Sequence, residues 1–125
     1  MYDSVRGATK YLHTDDTSVE GTFTDSLDAF LSNGFSLAGG NDGANGSTYP
    51  YVAWNWLAGG NSNTYNIDGT GYATAAAAGL DGGTITPTGA SVNTESGVSI
   101  IAYTGDGNNP GTSTCLLYTS DAADE

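Results

Sequence analysis

The sequence predicts an all-β protein, namely an incomplete antiparallel β-sandwich. Short apolar groups alternate with turns rich in Gly and Asn, which is typical of strands rather than helices. Hydrophobic residues make up 38% of the 125 residues and include eight Tyr and two Trp, which is enough for a small core. This length permits at most one small domain.

The N-terminal part predicts one strand and one short helical turn. Residues 9–14 (TKYLHT) alternate between two faces, as a strand does. Thr24 or Asp25 is a suitable N-cap for a helical turn that reaches Phe30.

A hairpin is predicted at Asn33-Gly34, because a type I′ turn requires positive φ at both central residues. The pair joins two short apolar groups, AFLS and FSLAG. We expect Phe30 and Phe35, one from each group, to cover the same core.

Residues 49–57 (YPYVAWNWL), here called the aromatic segment, are the most distinctive stretch of the chain. In a strand, Val52, Trp54 and Trp56 would share one face, and we expect them to pack in the core of the sandwich. Pro50 belongs at the start or edge of that strand because it has no N–H to donate. The alternative is that both indoles and Tyr51 stack on sugar rings.

The C-terminal half predicts a connection followed by a new strand. Residues 61–83 are predicted to be a linker rich in Gly, Asn and Ala, with one or two helical turns that stop at Gly79. Residues 97–105 (GVSIIAYTG) predict an apolar strand. Val98 and Ile100 are its predicted core residues.

The charge balance argues against a nucleic-acid partner, and the hydropathy of the chain argues against membrane insertion. Fourteen acidic residues against Arg6 and Lys10 give a net charge of −12. Such a surface repels phosphate backbones, so we expect no nucleic-acid partner. No apolar run is long enough to cross a bilayer, and we expect no membrane insertion.

Residues 115–125 (CLLYTSDAADE) are interpreted as a non-native tail. Their back-translation resembles a transposase adapter used in shotgun sequencing, read in frame. We therefore expect the natural part of the chain to stop near Thr114 and the native domain to continue beyond it. Without this tail the chain has no cysteine, and we expect the tail to pack poorly.

Four motifs, DSVRG, SNGF, YVAWNW and GVSIIAYTG, resemble a domain of unknown function that recurs in tail and fibre proteins of tailed phages, especially marine ones. The resemblance implies jelly-roll or concanavalin A-like lectin sandwiches repeated in tandem. Residues 1–60 would be the C-terminal half of one repeat, and residues 84–114 would hold the first strands of the next. The resemblance further implies that the protein is extracellular, as part of a virion, and that its partners are other virion proteins. By analogy it also implies a homotrimer.

No motif requires catalysis, and no catalytic residue is predicted. His13 with Asp15 and Asp16 suggests a triad only superficially, because no nucleophile elbow surrounds any Ser. A glycosidase needs two carboxylates facing each other across a sugar, and no predicted strand carries acids on one face at alternate positions.

Two loops rich in Asn and Asp offer oxygen ligands for Ca²⁺, although tight turns use the same residues. The predicted metal ligands are Asp42, Asp106 and Asn108. The predicted ligand-binding residues are Asn41, Asp42, Asn45 and Tyr51. No cofactor is predicted, and Ca²⁺ is the alternative.

We therefore expect a non-enzymatic structural or adhesion module of a phage tail or tail fibre. One alternative is a lectin-like module that binds a host surface glycan. The other is a glycosidase or depolymerase domain of the same fold.

Overall fold

A computed structural model describes residues 1–39, 44–108 and 113–115. The described residues form nine β-strands, and none of them lies in a helix, so the all-β prediction is confirmed. Pairing is mostly antiparallel, consistent with a fragment of a β-sandwich. The chain divides into two compact units, Met1–Asn55 and Trp56–Glu125, hereafter unit 1 and unit 2.

Unit 1 contains a three-stranded antiparallel sheet and a hairpin. The sheet has the order β1-β2-β3, and the hairpin pairs β4 with β5. Their bounds are β1 Tyr2–Asp3, β2 Gly7–Tyr11, β3 Gly21–Thr22, β4 Leu27–Leu31 and β5 Gly34–Leu37.

The turn between β1 and β2 is built around a buried carboxylate. Asp3 accepts hydrogen bonds from the backbone N–H groups of Val5 (3.1 Å) and Arg6 (3.0 Å). The Arg6 side chain forms an ion pair with the same carboxylate. Because the acid and its counter-ion are adjacent, Asp3 is buried without an unpaired charge.

The β4–β5 hairpin confirms the predicted connection but corrects its details. Phe30 pairs directly with Phe35, and the turn residues are Ser32 and Asn33. Neither Asn33 nor Gly34 has positive φ, so the turn is not type I′. The predicted helical turn is wrong, since strand β4 begins at Leu27, which is buried.

Phe30 and Phe35 are 42% and 38% exposed, so their predicted burial is wrong. A two-stranded hairpin covers its own side chains only partly, and a packed core needs a second layer over the sheet face. Within the described part of unit 1, Leu27 is the buried hydrophobic residue.

The aromatic segment contradicts the prediction more strongly. Its residues are not in a strand, and Val52, Trp54 and Trp56 are 80%, 78% and 67% exposed. Alternation assigned the two indoles to one face, but burial requires a further layer on that face. No strand pairs with this segment among the described residues, and Pro50 removes one of the N–H groups that such pairing would use.

Unit 2 contains a four-stranded sheet in the order β7-β6-β8-β9. Strands β6 and β8 pair in parallel, whereas the other two pairings are antiparallel. The strands are β6 Tyr65–Ile67, β7 Thr70–Tyr72, β8 Gly89–Asn93 and β9 Val98–Ala102. Strand β9 confirms the apolar strand predicted from GVSIIAYTG.

The interpretation of residues 61–83 as a linker is wrong. This stretch holds β6, β7 and a tight turn at residues 74–79. The turn is capped by the Thr74 hydroxyl, which accepts from the Ala77 N–H at 3.1 Å, and it ends at Gly79 with φ of 70°. Gly79 thus acts as the predicted stop, for a single turn rather than a helix.

The core of unit 2 draws on both the sheet and this turn. Its buried members are Ile67, Ala75, Ala78, Leu80, Ala90 and Val92. Val98 and Ile100, the predicted core residues of β9, are only half-buried, and Ile101 packs against the core instead. Because β9 lies at the edge of the sheet, its two faces are covered less completely than those of β8.

Cys115 forms an isolated parallel bridge with Ile85, and residues 116–125 of the interpreted tail lie outside the described residues. A search of the described residues finds no helix with the length and apolar character needed to span a bilayer.

Candidate binding site

Unit 2 carries an open depression of about 380 Å³. Three chain segments form its walls: residues 57–60, the turn Asp68–Gly69, and residues 93–95. All three follow or precede strands of the same sheet, so the sheet fixes their positions.

A buried polar network holds the wall formed by residues 57–60. The Gly59 N–H donates to the Ser91 hydroxyl at 2.9 Å, and that hydroxyl donates to Asn66 Oδ1 at 2.8 Å. Asn66 and Ser91 are buried, so each lost bond would leave an unsatisfied polar atom. Gly69 N–H donates to the Gly59 carbonyl at 2.6 Å and ties this wall to the next.

Gly59 has no room for a side chain. A Cβ atom at this position would overlap the Asn66 side chain, which accepts the Ser91 bond. The close approach of the backbone to Asn66 therefore requires glycine here.

The second wall is a type I′ hairpin turn between β6 and β7. Asp68 and Gly69 have φ of 49° and 80°, the positive values that this turn requires at both central residues. Asp68-Gly69 is a standard hairpin signal in the sequence. It lies within residues 61–83, which were predicted to be a linker, so this hairpin was not predicted.

The Asp68 carboxylate fastens the third wall. It accepts from the Thr94 hydroxyl at 2.6 Å and from the Thr94 N–H at 2.8 Å. These bonds, the hydroxyl first and the backbone second, lower the pKa of Asp68 below its usual value. The two hydrogen bonds hold Thr94, and with it the third wall, in position.

The depression has the donors and acceptors that suit hydroxyl-rich ligands. Glu95 offers an exposed carboxylate, and Leu57 contributes an apolar edge. Asn93 offers its amide NH2, since its Oδ1 accepts from the Ser96 N–H at 2.8 Å. Trp56, the preceding residue, is exposed and belongs to the same unit. Ligand sites commonly combine a few polar groups with apolar and aromatic surface in this way.

The predicted ligand-binding residues are only partly described. Asn41 and Asp42 lie outside the described residues, and Asn45 is exposed in a turn. The Tyr51 hydroxyl accepts from the Gly46 N–H at 3.0 Å, so the structure does bring Tyr51 to the loop that contains Asn45.

Of the predicted calcium ligands, Asp106 and Asn108 lie side by side in one turn. The Asp106 carboxylate accepts from the Ser113 hydroxyl (2.6 Å), the Asn108 amide (2.8 Å) and the Asn108 N–H (3.0 Å). The Ser113 bond, followed by those of Asn108, lowers the pKa of Asp106. Local hydrogen bonds of a turn thus occupy this carboxylate, and Asp42 lies outside the described residues.

A protein-family model described as a domain of unknown function (DUF7483) matches residues 1–122. No curated protein and no solved structure gives a significant match.

Proposed function

We propose that this chain, which belongs to the DUF7483 family of domains of unknown function, is a non-enzymatic adhesion module exposed on a phage tail or tail fibre. The virion setting is supported by the resemblance of its motifs alone. The aromatic segment, which would have supported a role as inert architecture if buried, is exposed at Val52, Trp54 and Trp56. The adhesion role is supported by the exposure of large aromatic side chains.

The observation that carries the proposal is the exposure of both indoles. Trp54 in unit 1 and Trp56 in unit 2 are 78% and 67% exposed, and both lie outside strands. Large aromatic rings are mostly buried in folded proteins, so an exposed indole in either unit is a candidate contact residue. Tyr49 and Leu57, at the two ends of the aromatic segment, are exposed as well.

The ligand class favoured by the site is a neutral surface saccharide. Indole faces stack on the apolar faces of sugar rings, whereas carboxylate and amide groups such as Glu95 and Asn93 bind hydroxyl groups. The net charge of −12 disfavours anionic partners. This is the lectin-like alternative, and the depression of unit 2, which begins at Leu57 next to Trp56, is its candidate site.

Tryptophan fluorescence tests the proposal directly, because the chain has only two Trp residues. Variants Trp54→Phe and Trp56→Phe each leave a single indole as reporter. A glycan selected on an array of neutral saccharides should shift the emission of the indole it covers to shorter wavelength. If only the variant that retains Trp56 responds, unit 2 carries the site.

Alanine variants give the matched binding test. Trp56→Ala should weaken binding of the selected glycan about tenfold or more, as for loss of an aromatic anchor. Tyr103→Ala, another exposed aromatic of unit 2, should leave binding unchanged. If the chain binds no saccharide on the array and immunogold labels virion tails, the glycan-binding role is contradicted. A purely structural role in the tail would then be supported.

Two further outcomes separate the remaining alternatives. Binding that disappears on adding a chelator and returns with Ca²⁺ would support the calcium dependence predicted for Asp42, Asp106 and Asn108. Release of soluble sugar from the bound glycan would contradict the non-enzymatic assignment and establish a glycosidase or depolymerase.

A further inference from the structure

A mixed imidazole–carboxylate cluster lies in unit 1, in the loop after β2. The cluster consists of His13, Asp15 and Asp16, each of which places one ligand atom within 4.8 Å of the others. His13 Nδ1 and Asp16 Oδ2 are 3.7 Å apart. This separation is too long for a direct hydrogen bond.

Neighbouring groups orient two members of the cluster. The Tyr11 ring, at the end of β2, packs on the His13 imidazole with ring centroids 4.9 Å apart. Asp16 accepts from the Ser18 N–H through Oδ1 at 2.7 Å, which leaves Oδ2 on the side of His13.

The cluster has no cationic side chain to balance its carboxylates. The chain has two such side chains, Arg6 and Lys10. Arg6 pairs with Asp3, and Lys10 lies 3.5 Å from Glu20 and donates to Thr22 at 2.8 Å. Two carboxylates therefore face one imidazole in a strongly acidic protein, a setting that attracts cations.

The spacing suits a small divalent ion. Zinc lies about 2.0–2.2 Å from nitrogen and oxygen ligands, so two atoms bound to one ion are at most about 4.4 Å apart. The distance of 3.7 Å between His13 and Asp16 falls within this limit. The Asp15 carboxylate lies within 4.8 Å of the other two ligand atoms, and because Asp15 is exposed its side chain has room to rotate toward an ion.

We propose that His13, Asp15 and Asp16 form a binding site for one divalent transition-metal ion of the zinc class. Imidazole nitrogen favours zinc and its neighbours over calcium and magnesium, which prefer oxygen ligands throughout. Water would complete the coordination, since three protein ligands leave a position open. The site is separate from the depression of unit 2 and does not depend on the adhesion role.

Zinc titration with two readouts tests this proposal. Calorimetry of the full chain with Zn²⁺ at neutral pH should show one ion per chain. His13 is the only histidine, so ¹⁵N NMR of its imidazole should show that Nδ1 becomes the metal-bound nitrogen. His13→Gln and Asp16→Asn should each weaken zinc binding by about tenfold or more, as the loss of a ligand implies.

Asp81→Asn provides the control, because it removes the same charge from an exposed position outside the cluster. Its zinc affinity should equal that of the unmodified chain. Absence of zinc binding would overturn the proposal, as would binding that leaves the imidazole resonances unchanged. Equal affinities for His13→Gln and Asp81→Asn would overturn it too. Circular dichroism of each variant shows that the fold is retained.

Discussion

Gly59 determines whether the depression of unit 2 can form. Its backbone N–H and carbonyl bond to Ser91 and Gly69, and Asn66 occupies the space that a side chain would need. Glycine at position 59 therefore holds the wall of the depression in place and provides a hydrogen-bond donor for the buried Ser91 hydroxyl.

Replacing Gly59 with Ala should destabilise unit 2. The new methyl group displaces the Asn66 side chain and breaks its bond to Ser91, which costs about 1–3 kcal/mol for buried polar groups left unsatisfied. Urea unfolding measures the loss. Gly105→Ala is the matched control, because a Cβ there meets nothing within 4 Å and φ is not positive. A Gly59 variant as stable as this control would contradict the role of the close contact.

Asp68 should make stability depend on pH in the acid range. Its bonds to Thr94 lower its pKa in the folded state, so the stabilisation is present above the unfolded value of about 3.9 and is lost as pH falls through the folded pKa. Asp68→Asn keeps a residue that tolerates positive φ but removes the charge. Unfolding curves recorded from neutral to acid pH should converge for the two proteins below about pH 4. Parallel curves would contradict this assignment.

Residue patterns in the sequence are informative about turns but not about burial. Asp68-Gly69 carries its hairpin signal in the sequence, and Gly79 ends its turn as expected. The exposure of Trp54 and Trp56 could not be predicted in the same way. Alternation assigns side chains to faces, whereas burial depends on whether another part of the fold covers that face.

At the scale of elements, the turn at residues 74–79 is a structural member of the core. Ala75 and Ala78 in the turn and Leu80 just after it are buried against β6 and β8. The run ATAAAAG showed no amphipathic pattern, because a single turn is too short to display a helical period. Its contribution to the core was therefore not predictable from periodicity.

Leu80→Ala should be among the most destabilising substitutions in the chain. Leu80 is fully buried, and truncation of buried Leu to Ala costs about 2–5 kcal/mol. Leu31→Ala, at a position 53% exposed, should change stability by less than about 0.5 kcal/mol. Chemical denaturation of both variants provides the comparison, and equal losses would show that the turn does not anchor the core.

The β4–β5 hairpin shows how far local signals extend. Asn33-Gly34 located the connection, and the apolar groups on either side became the paired strands. The turn type differs, because Gly34 joins the strand and pairs with Leu31 instead of occupying the turn. Where the strands end and the turn begins depends on which residues pair across the hairpin. A local sequence pattern does not specify that pairing.

At the scale of the whole molecule, charge determines which surfaces the protein can approach. A net charge of −12 imposes a repulsion on every anionic partner, and that repulsion is screened by salt. The all-β class followed from composition and turn spacing, and it is confirmed. The parallel pairing of β6 with β8 was not predictable, because local patterns do not specify partners distant in sequence.

Salt should therefore affect the binding of two classes of glycan differently. Binding to a sulfated polysaccharide should be weak at low ionic strength and should rise as salt is added, whereas binding to a neutral glycan should stay constant. Surface plasmon resonance over a salt series measures both. Strong binding to the sulfated surface at low salt would show that a local cationic site outweighs the net charge.

The parallel pairing also bears on how unit 2 reaches its structure. Strands β6 and β8 become neighbours only after the chain between them, residues 68–88, has closed a loop, and that loop carries β7 and Leu80. Closing such a loop costs chain entropy before the long-range contacts form, which slows folding. Refolding of unit 2 should accordingly be slower than that of a meander of equal length, and its rate should be limited by the search that brings β8 beside β6.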